Sequence, residues 1–439
     1  MRGLWSTLGM VVVLAGLVGY IYFVDSKGEP GTPEAKEKVF GGTLSTTDIE
    51  EVQITLASGE NSRLQKIDGT WRLVAPSPAP ADESELTSIT SGLASLEMQR
   101  VVAENASDMK QYGLDPPRVD VSFRSKGQKE LRRIALGTKT PTSGDMYARI
   151  PDQQRVFLVS SFLDTTLNKT PFALRDKTIL KFDREKVDGL ELAAGSTVIQ
   201  LAKRGQDWTI VKPFAARAEY AAVEGSLERL GSAQMVGIVE PEATDLAKYG
   251  LDKPAVTMTV ATGSSRASLT LGKTDNALVF AKDSSRPMVF TVAPTLREDV
   301  FKLGSEFRRK DLFDGRSFTA NRVELRRGSE TIVLDKSKGK DGKDVWRNGA
   351  GKDVEAMKAD DLLTKLTGLR ASSFEDQPHA SLKMPALVVT LRFNDNRMET
   401  VTFGRAGTDA FASRADETGS ATIEGPGLDE AMKALDAVK

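Results

Sequence analysis

The chain has 439 residues, 60 Lys plus Arg against 61 Asp plus Glu, a formal charge of -1, one His and no Cys. That length exceeds one ordinary domain and suits about three of roughly 100–200 residues. Balanced charge excludes the basic excess of a nucleic-acid binder. The absence of Cys excludes disulfides, thiolate catalysis, Cys-based zinc sites and a lipoprotein anchor, and a single His excludes a multi-His metal site within one chain.

The first predicted element is a membrane span. Leu4 to Val24 carries no charge, and at about 1.5 Å per residue it reaches roughly 30 Å, the thickness of a hydrocarbon core. Trp5 stands near one end and Tyr20 and Tyr22 near the other, where amphipathic aromatics meet the membrane interface. A cleaved signal peptide would have an apolar stretch of about 7–15 residues and a small-x-small site. This stretch is longer, and Val24-Asp25-Ser26 is a poor site, so residues 1–24 are expected to stay as a single transmembrane anchor. The Lys/Arg count does not by itself favour an inside N-terminus, because Arg2 precedes the span while Lys27, Lys36 and Lys38 follow it. That rule weakens before a long domain, and a span so near the N-terminus most simply serves as an uncleaved export signal. The expectation is an inner-membrane, single-pass protein whose soluble part lies in the periplasm or otherwise outside the cytoplasm. Residues 25–37, charged and containing Gly and Pro, read as a flexible tether.

The remainder repeats itself with a period near 137 residues. Gly69-Thr70-Trp71-Arg72-Leu73-Val74 and Gln206-Asp207-Trp208-Thr209-Ile210-Val211 are strand-like, and Pro76 and Pro213 follow. Tyr112-Gly113-Leu114-Asp115 and Tyr249-Gly250-Leu251-Asp252 come next, then Leu136-Gly137 and Leu271-Gly272. Trp71 to Trp208 and Tyr112 to Tyr249 are both 137 residues. A worn third copy follows. It keeps Trp346, a helical stretch at 361–369 and Thr402-Phe403-Gly404, but has Met384-Pro385 where the aromatic turn should stand. Fixed order and spacing over several anchors is the signature of tandem modules. The copies are placed at 38–178, 179–311 and 312–439, the third degenerate.

Within the first copy, Val52 to Leu56 and Val119 to Phe123 alternate at period two and predict strands. Asp82 predicts a helix N-cap, and Glu85 completes a capping-box pattern. Leu86, Ile89, Leu93 and Leu96 then share one helical face. That face should cover one side of an antiparallel sheet, giving an α+β module.

These features together resemble the bacterial "domain of unknown function 4340" family: the Trp with its following Pro, the Pro-Ala-Asp helix start, Tyr-Gly-Leu-Asp-x-Pro, and the Leu-Gly step behind an N-terminal span. The resemblance covers nearly all of residues 38–311 and fades in the third copy. It implies an envelope accessory role near ABC-type export or gliding-motility components, and it brings no catalytic residues.

The candidate chemistry reads as structure. Gly272-Lys273-Thr274 ends like a phosphate-binding loop, but Ala267 stands where that pattern needs Gly. His379, in Gln377-Pro378-His379-Ala380, reads as a surface loop residue. The Tyr-Gly-Leu-Asp segments meet the needs of a turn, and Trp71 and Trp208 read as core residues with the indole N–H bonded. The acidic pairs Glu50-Glu51 and Asp360-Asp361 have no partner carboxylate at a readable spacing. Lys336 to Asp344 predicts a solvated hairpin loop. No catalytic, metal or cofactor site follows; the anchors Trp71, Tyr112, Gly113, Leu114, Trp208, Tyr249, Gly250, Leu251 and Trp346 are repeat structure. The functional expectation is a non-enzymatic envelope scaffold with a protein partner and no nucleic acid. An envelope hydrolase acting on cell-wall or polysaccharide material, with carboxylates of perturbed pKa in a cleft between copies, is the first alternative, and a small-ligand sensor with one apolar pocket the second.

Overall fold

The period-two segments become the central strands of large antiparallel sheets. The computed structural model describes residues 36–41, 44–142, 144–339 and 342–439. The predicted anchor at 1–24 and the tether up to residue 35 lie outside the described residues. Among those described, no helix is long and apolar enough to cross a membrane.

The first sheet has nine strands: β1 Ile49–Leu56, β2 Asn61–Ile67, β3 Thr70–Ala75, β4 Ala79–Pro80, β5 Arg100–Ala103, β6 Val119–Ser125, β7 Arg132–Lys139, β8 Asp145–Arg149 and β9 Val156–Ser160. Their order across the sheet is β4-β3-β2-β1-β6-β7-β8-β9-β5. The second sheet, Gly189–Ala194 through Val289–Val292, and the third, Ala320–Arg327 through Ser420–Ile423, repeat that order strand for strand. The third copy is thus worn in sequence and intact in topology. Each module is mostly β, with few helices, and is richer in strands than the sequence pattern resolves: the two-residue strand before the helix and the edge strand after it are too short to show periodicity.

Each sheet carries a helix in mid-module, Glu83–Ala94, Tyr220–Ser232 and Ala356–Thr367, and a second after its last strand, Phe162–Leu167, Thr295–Val300 and Gly425–Ala437. The first starts as expected, with Asp82 accepting from the N–H groups of Ser84 and Glu85, which satisfies donors the first turn leaves unpaired. Glu85 does not reach back to close the box; it pairs with Lys169 at 2.8 Å, while Glu83 accepts from the Trp71 backbone N–H at 3.0 Å. Leu86, Ile89 and Leu93 are fully buried, and Leu96, just beyond the helix end, is nearly so. Together with Trp71, Val52, Ile54, Val121 and Phe123 they form the core of the first repeat, each such side chain contributing about 1.5–3 kcal/mol by leaving water.

The opposite face of the sheet carries a smaller core under the Tyr-Gly-Leu corner. Ile134 and Leu136 face the helix side, whereas Ala135 between them packs with Leu114, Val156, Tyr112 and Tyr147, as alternation along a strand requires. Repeat 2 has the same arrangement in Tyr249, Leu251, Phe280 and Val289.

The chain divides into two units, residues 1–176 and 177–439. The first holds repeat 1. The second holds repeats 2 and 3, which do not separate.

Candidate functional site

The repeat anchors occupy structural positions. Trp71, Trp208 and Trp346 are 7%, 2% and 1% exposed. The Trp208 indole N–H donates to Glu224 at 3.2 Å and that of Trp346 to Asp360 at 3.4 Å, so one member of the Asp360-Asp361 pair serves the core. Tyr112 and Tyr249 each end a one-turn 3-10 helix, Lys110–Tyr112 and Ala247–Tyr249, and Gly113 and Gly250 follow at φ 67°, a left-handed conformation that glycine adopts without a Cβ clash. Leu114 and Leu251 plug the small cores. Tyr112 packs on Tyr147 and Tyr249 on Phe280, at 5.1 and 5.0 Å between ring centres. The Tyr249 hydroxyl donates to Glu240 at 2.5 Å, a bond that pushes the phenol above its ordinary pKa.

The Leu-Gly step explains itself here. A Cβ on Gly137 or Gly272 would run into the carbonyl oxygen of Tyr112 or Tyr249; only glycine lets the corner lie on the strand. Gly404 does the same beneath Ser381 in the third copy. There the 3-10 turn is Ala380–Lys383, and its aromatic has moved to the other end. His379 stacks on Phe411 at 3.6 Å with the rings 5° from parallel, and its Nδ1 accepts from the Ser381 N–H at 3.3 Å. His379 is therefore a half-buried cap of the corner rather than a surface loop residue. Lys273 continues the strand Ser265–Asp275, and the strands Glu330–Lys338 and Asp344–Asn348 pair antiparallel, with residues 340 and 341 of the predicted loop outside the described residues.

A cleft of about 640 Å³ opens between repeats 2 and 3, lined by Arg204, Asp207, Arg309, Asp314, Arg397 and Asp416 among others, with Trp208 at its wall. The linker between the repeats builds its floor. The Arg309 N–H donates to the Arg217 carbonyl at 3.0 Å and the Glu219 N–H to that of Phe307 at 2.7 Å; further along, the Ala371 N–H donates to Lys310 and the Leu312 N–H to Leu369. One extended segment is thus backbone-paired to both modules.

A buried ion network sits beneath. Arg217 places Nε 2.5 Å from Glu417 and Nη1 2.6 Å from Asp314, and donates Nη2 to the Asp311 carbonyl at 2.7 Å. Arg308, 4% exposed, pairs with Glu417 at 3.1 Å and lies over the Phe374 ring at 4.2 Å. Arg414 bonds Glu399 at 3.2 Å, Asp416 at 2.9 Å and the Leu312 carbonyl at 2.8 Å, and Glu399 also accepts from the N–H groups of Asp314 and Gly315. The hydrogen bond from Arg414 holds the Asp416 carboxyl below its ordinary pKa. Burial alone would lower Arg414, but the bond to Asp416 and the charges of Asp416, Asp314 and Glu399 raise it. A carboxylate held down in this way accepts hydrogen bonds and is a poor proton donor at neutral pH. Among the described residues no three His, Asp or Glu side chains are grouped to hold a metal ion.

Sequence reasoning missed this network. Its members are lone charges, and only the run Arg308-Arg309-Lys310-Asp311 at the repeat boundary signals it.

Residues 71–210 and 208–385 each match the family described as Domain of unknown function (DUF4340). The chain belongs to that family. The two DUF4340 segments run from Trp71 to just past Trp208 and from Trp208 to the third corner, so the family unit is phased on the tryptophan while each sheet starts earlier in the chain. No curated protein matches the DUF4340 chain. Among solved structures it is aligned with the DNA polymerase III subunit beta from Pseudomonas aeruginosa at 10% identity over 87% of this chain and 93% of that one, TM-score 0.15. A second sliding-clamp structure from that organism, with ligand, gives 11% identity over 88% and 93%, TM-score 0.15. Likeness at that level carries nothing about fold or role.

Proposed function

We propose that the chain is a membrane-anchored scaffold or accessory subunit of the bacterial envelope, presenting its repeats outside the cytoplasm to a protein partner such as an ABC-type transporter or a gliding-type complex. The observation that carries this reading is the junction of repeats 2 and 3. Its buried charges Arg217, Arg308 and Glu417, with Asp314, pair the modules to one another and to their linker, which makes a fixed surface, and its shifted carboxylate, Asp416, moves down. A glycosidase-type hydrolase working in the same cleft needs a carboxyl held up so that it can donate a proton. The cleft's position between copies is what the hydrolase alternative calls for; the lowered Asp416 does not supply that proton donor.

The test is purification of the full chain from native membranes in mild detergent after brief crosslinking. The expected result is one envelope partner retained in fixed ratio, with protease access to the repeats in intact spheroplasts. A monodisperse chain with no partner, or release of cell-wall fragments by the purified protein, would overturn it.

A further inference from the structure

Repeat 1 carries a groove of about 380 Å³ between the helix Glu83–Ala94 and the short helix Phe162–Leu167, walled by Ser91, Ser95, Leu96, Gln99, Phe162 and Leu163 among others. Phe162 is 73% exposed, the most exposed large apolar side chain among the described residues of the first unit. A single exposed ring needs no explanation by itself; this one shares its groove with Leu96 and Gln99, which the chain meets on entering the repeat.

The chain itself says what the surface faces. The Met98 N–H donates to the Glu37 carbonyl at 2.8 Å, the Val39 N–H donates to the Leu96 carbonyl at 2.9 Å, and the Lys36 ammonium donates to the Gln99 side chain. Leu96 and Gln99, which wall the groove, therefore also grip the point where the tether arrives. Only eleven residues lie between Val24 and Lys36. A chain of that length spans at most about 40 Å. We infer that this end of repeat 1 rests on the bilayer, with Phe162 entering the boundary between headgroups and acyl chains. The inference rests on the anchor reading of residues 1–24 and adds to it a second, side-chain contact with lipid. Charges of both signs surround the entry point, Lys36, Lys38 and Arg100 with Glu37 and Glu97, and the side chain assigned to the contact is apolar, so the contact is insensitive to salt, unlike attachment through a polybasic patch.

The chain lacks Cys, so one introduced Cys is a unique labelling site. The full-length protein would be reconstituted into phosphatidylcholine vesicles with an environment-sensitive fluorophore at Ser91→Cys in the groove, at Leu14→Cys in the span, or at Ser77→Cys, an exposed position beside the opposite edge of the same sheet, and probed with lipids brominated in the upper acyl chain. The expected result is blue-shifted, quenched emission at 91 and 14 and neither at 77, unchanged in high salt, with quenching at 91 reduced by Phe162→Ser. Phe162 is exposed, so that variant leaves the core intact. Quenching at 14 without quenching at 91 overturns this inference and spares the anchor. Loss of quenching at 14 overturns both. Equal quenching at 91 and 77, or no effect of Phe162→Ser, overturns the assigned contact.

Discussion

Glu417→Ala isolates the contribution of the junction network. Glu417 and Arg308 have side chains only 6% and 4% exposed. The carboxylate accepts from the Arg217 backbone N–H at 3.3 Å, from Arg217 Nε at 2.5 Å and from Arg308 at 3.1 Å. Arg217 retains Asp314 and the Asp311 carbonyl after the substitution. Arg308 is left as a charge buried between Phe214 and Phe374 without its carboxylate. Removing one member of a buried pair costs about 3–5 kcal/mol, most of it the cost of the stranded charge, whereas replacing both members by apolar groups comes close to neutral. Glu417→Ala should therefore destabilise repeats 2 and 3 by roughly that amount, and adding Arg308→Leu should recover a large part. The assay is urea unfolding of the full chain in mild detergent, read by hydrogen–deuterium exchange on peptides covering 215–220 and 306–314, with peptides of repeat 1 as the internal reference. A shift below about 1 kcal/mol, the range of exposed pairs, or no recovery in the double variant, would refute the argument.

Gly137→Ala, Gly272→Ala and Gly404→Ala should each cost about 1–3 kcal/mol or more by forcing a corner off its strand, with exchange rising locally at 110–114, 247–251 or 379–384. Glu51 is buried against Arg63 and Arg124; burial would raise its carboxyl, but hydrogen bonds from Gln53 and Arg63 and the two Arg charges lower it below 4.5. Its stabilisation is complete above that ordinary value and is lost as pH falls through the depressed one, so the melting temperature of repeat 1 should drop on acidification below about pH 4.5, with a shallower slope in Glu51→Gln. Asp82→Ala should cost about 1 kcal/mol through loss of the N-cap, measurable as a lower urea midpoint for repeat 1 alone.

The repeat period, the central strands, the helix and its buried face are all legible in the sequence, because each is written in local spacing. Trp71, Trp208 and Trp346 mark equivalent strands for that reason. The junction is not legible in the same way: Arg217 meets Asp314 across 97 residues and Glu417 across 200, and no periodicity links them. Glu51 reads as one half of an acidic pair until the sheet brings Arg63 and Arg124 beside it. His379 escapes because its ring reaches Phe411 from the start of the 3-10 turn, whereas Tyr112 and Tyr249 reach their partners from its end.

A corner secured by a missing side chain is tolerant of change in its own residues. The strand glycine supplies room, and whatever ring is at hand can lean on the neighbouring strand, whether tyrosine from one side or histidine from the other. Divergent copies of this module should accordingly lose the tyrosine long before they lose the glycine, and the small residue in the seventh strand is the more durable mark of common descent.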